Sequence, residues 1–511
     1  STGDGNIKLK GFSTGDTGVP RGMAFYGAAA PVSMTTTGGN IDITASSANE
    51  YGFRLIDDTS ITTIDGDITI TASSPTSTDM ALGGPNPDHE IYSTNGNVTI
   101  NANDVALESL STLYAGDTLS IFTIDPTTSI GLGGGGGTLN LSTDELDIIN
   151  AGNKIIIGKD GVQTGDIDLD TWNINGKSFD LELYGNDINL GGITMGTGSI
   201  LAHAQDNGGD TGFLTIDGHI TRTANGTATL ELRADQRISL SGYNITANDA
   251  NSDGDNDAAT DADSLNIIFN ADRDGDQAGR VTMQNTNITT LGGYFIAGGG
   301  SGDVGGADGI LGNDDGTGAD DAYAYSQGSG DGVTMVDVQI TTSGGDVIAN
   351  GYAKDAGTDD GIEMVRSDIN SGSGKIRLTG ATSGDVSHAI AVAFAGDSGG
   401  PATSLTTTTG NIEIVGAGIT AGKNGLYFHY DVDISTADGD ISIIASGGGF
   451  NTGGTPTTQN ITSTNGNITI KASALGIQNM NSISAGDTLS IFTIDPTTTI
   501  GIGTGSTGIL N

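Results

Sequence analysis

The residues of this chain best placed to do chemistry are aspartates set two apart around glycine. Residues 251–263 read NSDGDNDAATDAD, and the run Asp272-Arg273-Asp274-Gly275-Asp276 follows. A third acidic stretch, Asn313-Asp314-Asp315-Gly316 with Asp320 and Asp321, closes the region. Carboxylates at alternate positions of a turning backbone can converge on a hard cation, because calcium takes about six to eight oxygens at roughly 2.3–2.6 Å. Asp253, Asp255 and Asp257 have the spacing of the first three ligands of such a loop, without the glycine and the closing glutamate of a helix-loop-helix calcium site. Asp272, Asp274 and Asp276 form the second candidate set. Two readings stand side by side: weak Ca2+ sites of the millimolar class, or acidic loops that water alone solvates.

Acid-base catalysis needs more than carboxylates. The chain has 62 acidic residues but 18 Lys and Arg and 5 His, so accidental acid pairs abound while basic partners are scarce. Arg54 lies near Asp57 and Asp58 in sequence, and His429 sits in Tyr427-Phe428-His429-Tyr430, where it reads as a wall or corner residue rather than a base. No Gly-x-Ser-x-Gly elbow, His-Glu-x-x-His pair or phosphate loop is present, and cysteine is absent. No disulfide or thiolate chemistry is available. No catalytic residue is assigned, and the chain is expected not to be an enzyme. The acidic loop at Asp272 is similar to those of other extracellular calcium modules, which makes Ca2+ the one cofactor to consider.

The elements that must carry these loops are read from repetition. Ser93-Thr94-Asn95-Gly96-Asn97 returns as Ser463-Thr464-Asn465-Gly466-Asn467, and Ala115 to Thr128 (AGDTLSIFTIDPTT) returns unchanged as Ala485 to Thr498, both 370 residues on. A shorter period lies inside it. A glycine followed by Asp, Asn or Lys and then Ile or Val opens an alternating run at Gly39, Gly66 and Gly96, and again at Gly345, Gly374, Gly410, Gly439 and Gly466. The steps are 27 and 30, then 29, 36, 29 and 27 residues, and a period in this range marks a solenoid. In SITTIDGDITITA, residues 60–72, Asp65-Gly66 turns the chain and Ile68-x-Ile70 alternates with threonine, the period of a half-buried strand. Hairpins of a sandwich or propeller could use the same turns. The parallel β-helix fits better, since 27–30 residues hold three short strands and three corners, and a propeller blade needs more residues and more aromatic filling.

The expected fold is therefore all-β, a parallel β-helix solenoid of about 27–30 residues per coil with loop insertions. The organisation expected is coils over 1–250, coils with long acidic insertions over 251–330, and coils over 331–511, the last part repeating 93–140 at an offset of 370. Helix patterns with caps are hard to find. Gly133 to Gly137 reads either as a protruding loop or as a tight backbone crossing. Asp125-Pro126-Thr127-Thr128 reads as a corner, and Trp172 and Phe179 as core or corner packing rather than a sugar platform.

A formal net charge of -44 repels phosphate backbones and anionic membranes, so nucleic acid is not an expected partner. No membrane-spanning stretch is visible. The chain begins with Ser1 and stops at Asn511, both inside repeats, which reads as a portion of a longer polypeptide.

The motif Ser/Thr/Asn-x-x-Gly-Asp/Asn-Ile/Val-x-Ile/Leu-x-Ala, seen from Thr63 to Ala72, from Thr464 onward and from Thr436 to Ala445, resembles the repeats of filamentous haemagglutinin-like exoproteins. The resemblance covers most of the chain and thins between Asn251 and Asp321. It implies a right-handed parallel β-helix in a large bacterial adhesin that is secreted or held at the cell surface. The function it implies is a shaft that holds binding regions away from the cell. Its partners would be neighbouring repeats, other copies of the chain, or a cell-surface glycan or protein. A self-assembling filament subunit and a polysaccharide-binding or polysaccharide-degrading β-helix are the alternatives.

Overall fold

The computed structural model describes residues 3 to 495 apart from 15–20, 27–30, 57, 76–77, 83–88, 109, 209–210, 249–262, 301–322, 326–329, 355–358, 383–389, 397–400, 419–423, 454–457 and 478–479. The chain is an all-β parallel β-helix, and it divides into two compact units, Ser1–Gly212 and Phe213–Asn511.

In the first unit a coil is three strands and three corners, as in Ile41–Ser47, Phe53–Ile56 and Thr59–Thr63. The next coil, Ile68–Ser73, Met80–Leu82 and His89–Ser93, pairs with it strand for strand, parallel and in register. Burial alternates along each long strand, so one row of side chains points inward. Coil upon coil this row becomes a continuous column: Ile7, Ile41, Ile68, Val98, Leu119, Ile155, Leu181 and Ile200. Each fully buried Ile or Leu contributes about 1.5–3 kcal/mol relative to exposure, which is how a thin core suffices.

The second unit repeats the plan. Ile376–Thr382, Val392–Ala395 and Thr403–Thr407 stack under Ile412–Gly418, Leu426–His429 and Val432–Thr436. Its inner column runs Leu230, Ile267, Phe295, Val347, Ile376, Ile412, Ile441 and Ile468, and the exposed Leu489 continues the register. A second column stacks phenylalanine edges on faces, with ring centroids 5.4 Å apart for Phe394–Phe428 and 4.8 Å for Phe428–Phe450.

The repeated motif has a physical reason at each position. The Ser or Thr three residues before the glycine is buried and bonds to the glycine corner. Thr407 Oγ1 donates to the Gly410 carbonyl at 2.6 Å and lies 2.8 Å from Thr436 Oγ1. Ser463 Oγ donates to the Gly439 carbonyl at 2.8 Å and accepts from the Gly466 N–H at 3.0 Å. The glycines stack so closely that a Cβ on Gly410 would overlap the Gly374 carbonyl, and one on Gly439 the Gly410 carbonyl. The Asp or Asn after the glycine accepts a backbone N–H from the neighbouring coil. Asn40 Oδ1 takes the N–H of Asp67 at 2.9 Å, and Asp67 Oδ1 that of Asn97 at 2.8 Å. Asn411 and Asp440 do the same for Asp440 and Asn467, each at 2.8 Å. Alternating amide with carboxylate keeps like charges out of direct contact along the row. Part of the acidic composition is thus structural.

Three features differ from, or decide between, the sequence expectations, and a fourth agrees with them. The coil length is not uniform: register partners along the inner column lie 19 to 36 residues apart in the first unit and 21 to 52 in the second. The strands of the inner column hold register, whereas corners are free to lengthen or shorten. The glycine tract is the tight crossing rather than a protruding loop. Cβ atoms at Gly133 and Gly135 would overlap the carbonyls of Thr171 and Asp168, and the Gly136 N–H donates to Asp168 Oδ2 at 2.6 Å. A short helix, Thr143–Ile148, interrupts one coil where no helix was expected, and its Ser142 and Glu145 form a reciprocal cap. Asp125 caps its corner as foreseen, accepting the N–H and hydroxyl of Thr127 at 3.0 and 2.8 Å, and Trp172 and Phe179 are both buried.

Candidate cation site

The strand Leu265–Ala271 ends as Asp272 swings to φ 63, and the chain loops through Gly279 into the strand Arg280–Thr289. A Cβ at Gly279 would collide with the Asp272 backbone, so this loop closes tightly on itself. Asp272 is completely buried. Its Oδ1 accepts the N–H groups of Gln277 and Ala278 at 2.8 and 3.2 Å, and its carbonyl accepts those of Gly275 and Gly300 at 3.0 and 3.1 Å. Its Oδ2 has no hydrogen-bond partner.

Asp274 and Asp276 are exposed, and one carboxylate oxygen from each lies within 4.8 Å of the other and of an Asp272 oxygen. Burial pushes the Asp272 carboxyl up to about 8, and repulsion by Asp274 and Asp276 adds to it, against the two N–H donors. A buried carboxyl with one idle oxygen, facing two more carboxyls, could hold a cation such as Ca2+, with water or main-chain oxygens completing the shell. Lys354 Nζ donates to the Gln277 carbonyl at 3.1 Å, which ties the same loop to a later coil.

Of the residues singled out in the sequence, Asp272, Asp274 and Asp276 come together. Asp253, Asp255 and Asp257, and the stretch from Asn313 to Asp321, lie outside the described residues. Arg54 stacks its guanidinium 4.7 Å over the Tyr51 ring. His429 lies on the outward face of Leu426–His429, its ring 3.9 Å from that of Tyr430, and burial lowers its pKa. A cleft of about 470 Å³ opens beside the helix, lined by Leu107, Glu108, Leu110, Ser142, Asp144, Glu145 and Ile148. Those lining residues include three carboxyls and no basic side chain, and Glu145 is engaged by the N–H groups of Leu107 and Ser142 at 2.5 and 2.8 Å.

The sequence reading passed over a second acidic group, Asp331, Asp359, Asp360 and Glu363. Asp331 and Asp360 are 29 residues apart and meet only because successive coils stack. The one signal was that both precede paired strand openings by two residues.

No helix among the described residues is long and apolar enough to cross a membrane. Comparison with protein-family models, curated proteins and solved structures finds no match to any of them.

Proposed function

We propose that this chain is a non-catalytic β-helical shaft segment of a large bacterial surface or secreted exoprotein of the adhesin type, holding binding regions away from the cell. The observation that carries this reading is the coil-to-coil continuity of the inner column together with its hydroxyl, glycine and amide rows in each unit. Such stacking spends the sequence on resistance to extension, since every strand is held by its neighbours. An active site asks for one unusual coil with an acid and a base placed across a groove. The resemblance of the repeat motif to filamentous haemagglutinin-like exoproteins supports the same reading. In this reading the Asp272 loop is a cation clamp on an insertion.

The test is electron microscopy of the purified chain with and without a calcium chelator. Unbranched elongated particles of constant width are expected. Compact globular particles, or turnover of acidic polysaccharides by the purified chain, would overturn the proposal.

A further inference from the structure

The loop from Asp272 to Gly279 is the middle layer of a junction between coils. Toward the preceding coil, the Arg273 N–H donates to the Ala234 carbonyl at 3.1 Å and the Arg280 N–H to the Gln236 carbonyl at 2.8 Å. From the following coil, the Gly300 N–H donates to the Asp272 carbonyl at 3.1 Å and the Tyr325 N–H to the Gly279 carbonyl at 2.5 Å. Asn270 Nδ2 also holds the Gly300 carbonyl at 3.3 Å, and Lys354 Nζ reaches the Gln277 carbonyl from a later coil. Gly300 and Tyr325 stand on either side of residues 301–322 in the sequence, so the chain on both sides of that stretch is anchored to this one loop.

The junction has more acceptors than donors. Three buried side-chain oxygens here, Asp272 Oδ2, Asn270 Oδ1 and Gln236 Oε1, have no hydrogen-bond partner. An idle buried acceptor carries its full desolvation cost, so such groups are normally bound or neutralised. One carboxylate oxygen from each of Asp272, Asp274 and Asp276 lies within 4.8 Å of the other two. Oxygens that share one Ca2+ stand at most roughly 5 Å apart, so these three can meet a single ion as they are placed.

We propose that Ca2+ held by Asp272, Asp274 and Asp276 locks this junction, fixing the loop against the coils on both sides and securing the chain at Gly300 and Tyr325. The inference rests on the cation-clamp reading of the loop and names what the clamp holds. Without the ion, three carboxyls repel one another across the loop. With it, the exposed Asp274 and Asp276 are joined to the buried Asp272, and the loop cannot open without first releasing the ion. Every N–H that bonds across the junction, at Arg273, Arg280, Gly300 and Tyr325, is then protected together.

The test is amide exchange on the full chain, after calorimetric titration with CaCl2 has given the dissociation constant. At about ten times that concentration, exchange in peptides containing Arg273, Arg280, Gly300 and Tyr325 is expected to slow about tenfold. The strand Ile441–Ala445, several coils on, is expected not to respond. Asp274→Asn with Asp276→Asn, both at exposed positions, is expected to lose the binding and the slowing together. A parent chain that binds Ca2+ but slows only within residues 272–280 would overturn the lock and leave the clamp standing. A parent chain with no saturable binding would overturn both. Equal slowing by NaCl at matched ionic strength, which merely screens the net charge of -44, would also overturn the lock.

Discussion

Without a cation, Asp272 is a liability: a buried carboxyl with an idle oxygen and two like charges beside it. Asp272→Asn is therefore expected to leave the chelated protein as stable or about 1 kcal/mol more stable, while abolishing the stabilisation that calcium gives the parent at this loop. Thermal melts with and without chelator measure both halves, and an undiminished calcium shift would remove Asp272 from the ligand set. The pH dependence follows from the same groups. Burial raises Asp272 to about 8 and, with the charge and hydrogen bond of Asp331, Glu363 to about 7. Both stand above the range near 4 in which an unfolded chain releases these protons. The folded chain thus binds more protons than the unfolded one between those limits. That contribution is full below about pH 4 and is lost as pH rises through about 7 and 8. In chelator, the denaturant midpoint is expected to be lower at pH 8 than at pH 5.5, and calcium to narrow the gap. A higher midpoint at pH 8 in chelator would contradict the picture of protonated, buried carboxyls.

At the level of the coil, the prediction concerns the corner rather than the strand. Gly410→Ala places a Cβ into the Gly374 carbonyl and is expected to destabilise by about 1–3 kcal/mol. Thr407→Val keeps the shape but removes the shortest hydrogen bond to the Gly410 carbonyl, leaving it the longer one from Thr436 Oγ1, at about 0.5–1.5 kcal/mol. Ile64→Ser, in an exposed turn of the same motif, is expected to change stability by less than about 0.5 kcal/mol. Chemical denaturation ranks the three, and equal costs at Ile64 and Gly410 would show that the corner is not specifically packed. The corner and its strand were legible in the sequence because each is local: a turn dipeptide, then alternation over a few residues, as at Asp65-Gly66 and Ile68-x-Ile70. Coil length was not, because the Leu119 to Ile155 step absorbs a glycine crossing and a helix without disturbing register. The Ser142-x-x-Glu145 cap was in plain sight, but a helix of six residues leaves too little periodicity to find. Asp272, Asp274 and Asp276 could be read off because one loop holds all three. Asp331 and Asp360 could not, since stacking brings them together.

For each unit as a whole, stability is approximately a sum over coils and the contacts between them. Deleting residues 439–465 removes one 27-residue coil and joins Asp438 to Gly466, restoring the same turn. The shortened chain is expected to keep its β circular dichroism and melt cooperatively, whereas removal of half a coil, residues 439–452, should abolish the transition in that unit. Survival of the half-coil deletion would argue against the nearest-neighbour account. The polar rows carry one more consequence. Asn6 receives the N–H of Asn40, Asn40 that of Asp67, Asn411 that of Asp440, Asp440 that of Asn467, Asp331 that of Asp360, and Asp360 that of Ile390. In each pair the earlier coil holds out the acceptor and the later coil brings the donor. The stack therefore has a grain. A chain that folds as its amino end emerges finds these side-chain acceptors already set out for the next coil, while main-chain bonds between the same coils run the other way, as from the Ile41 N–H to the Asp67 carbonyl.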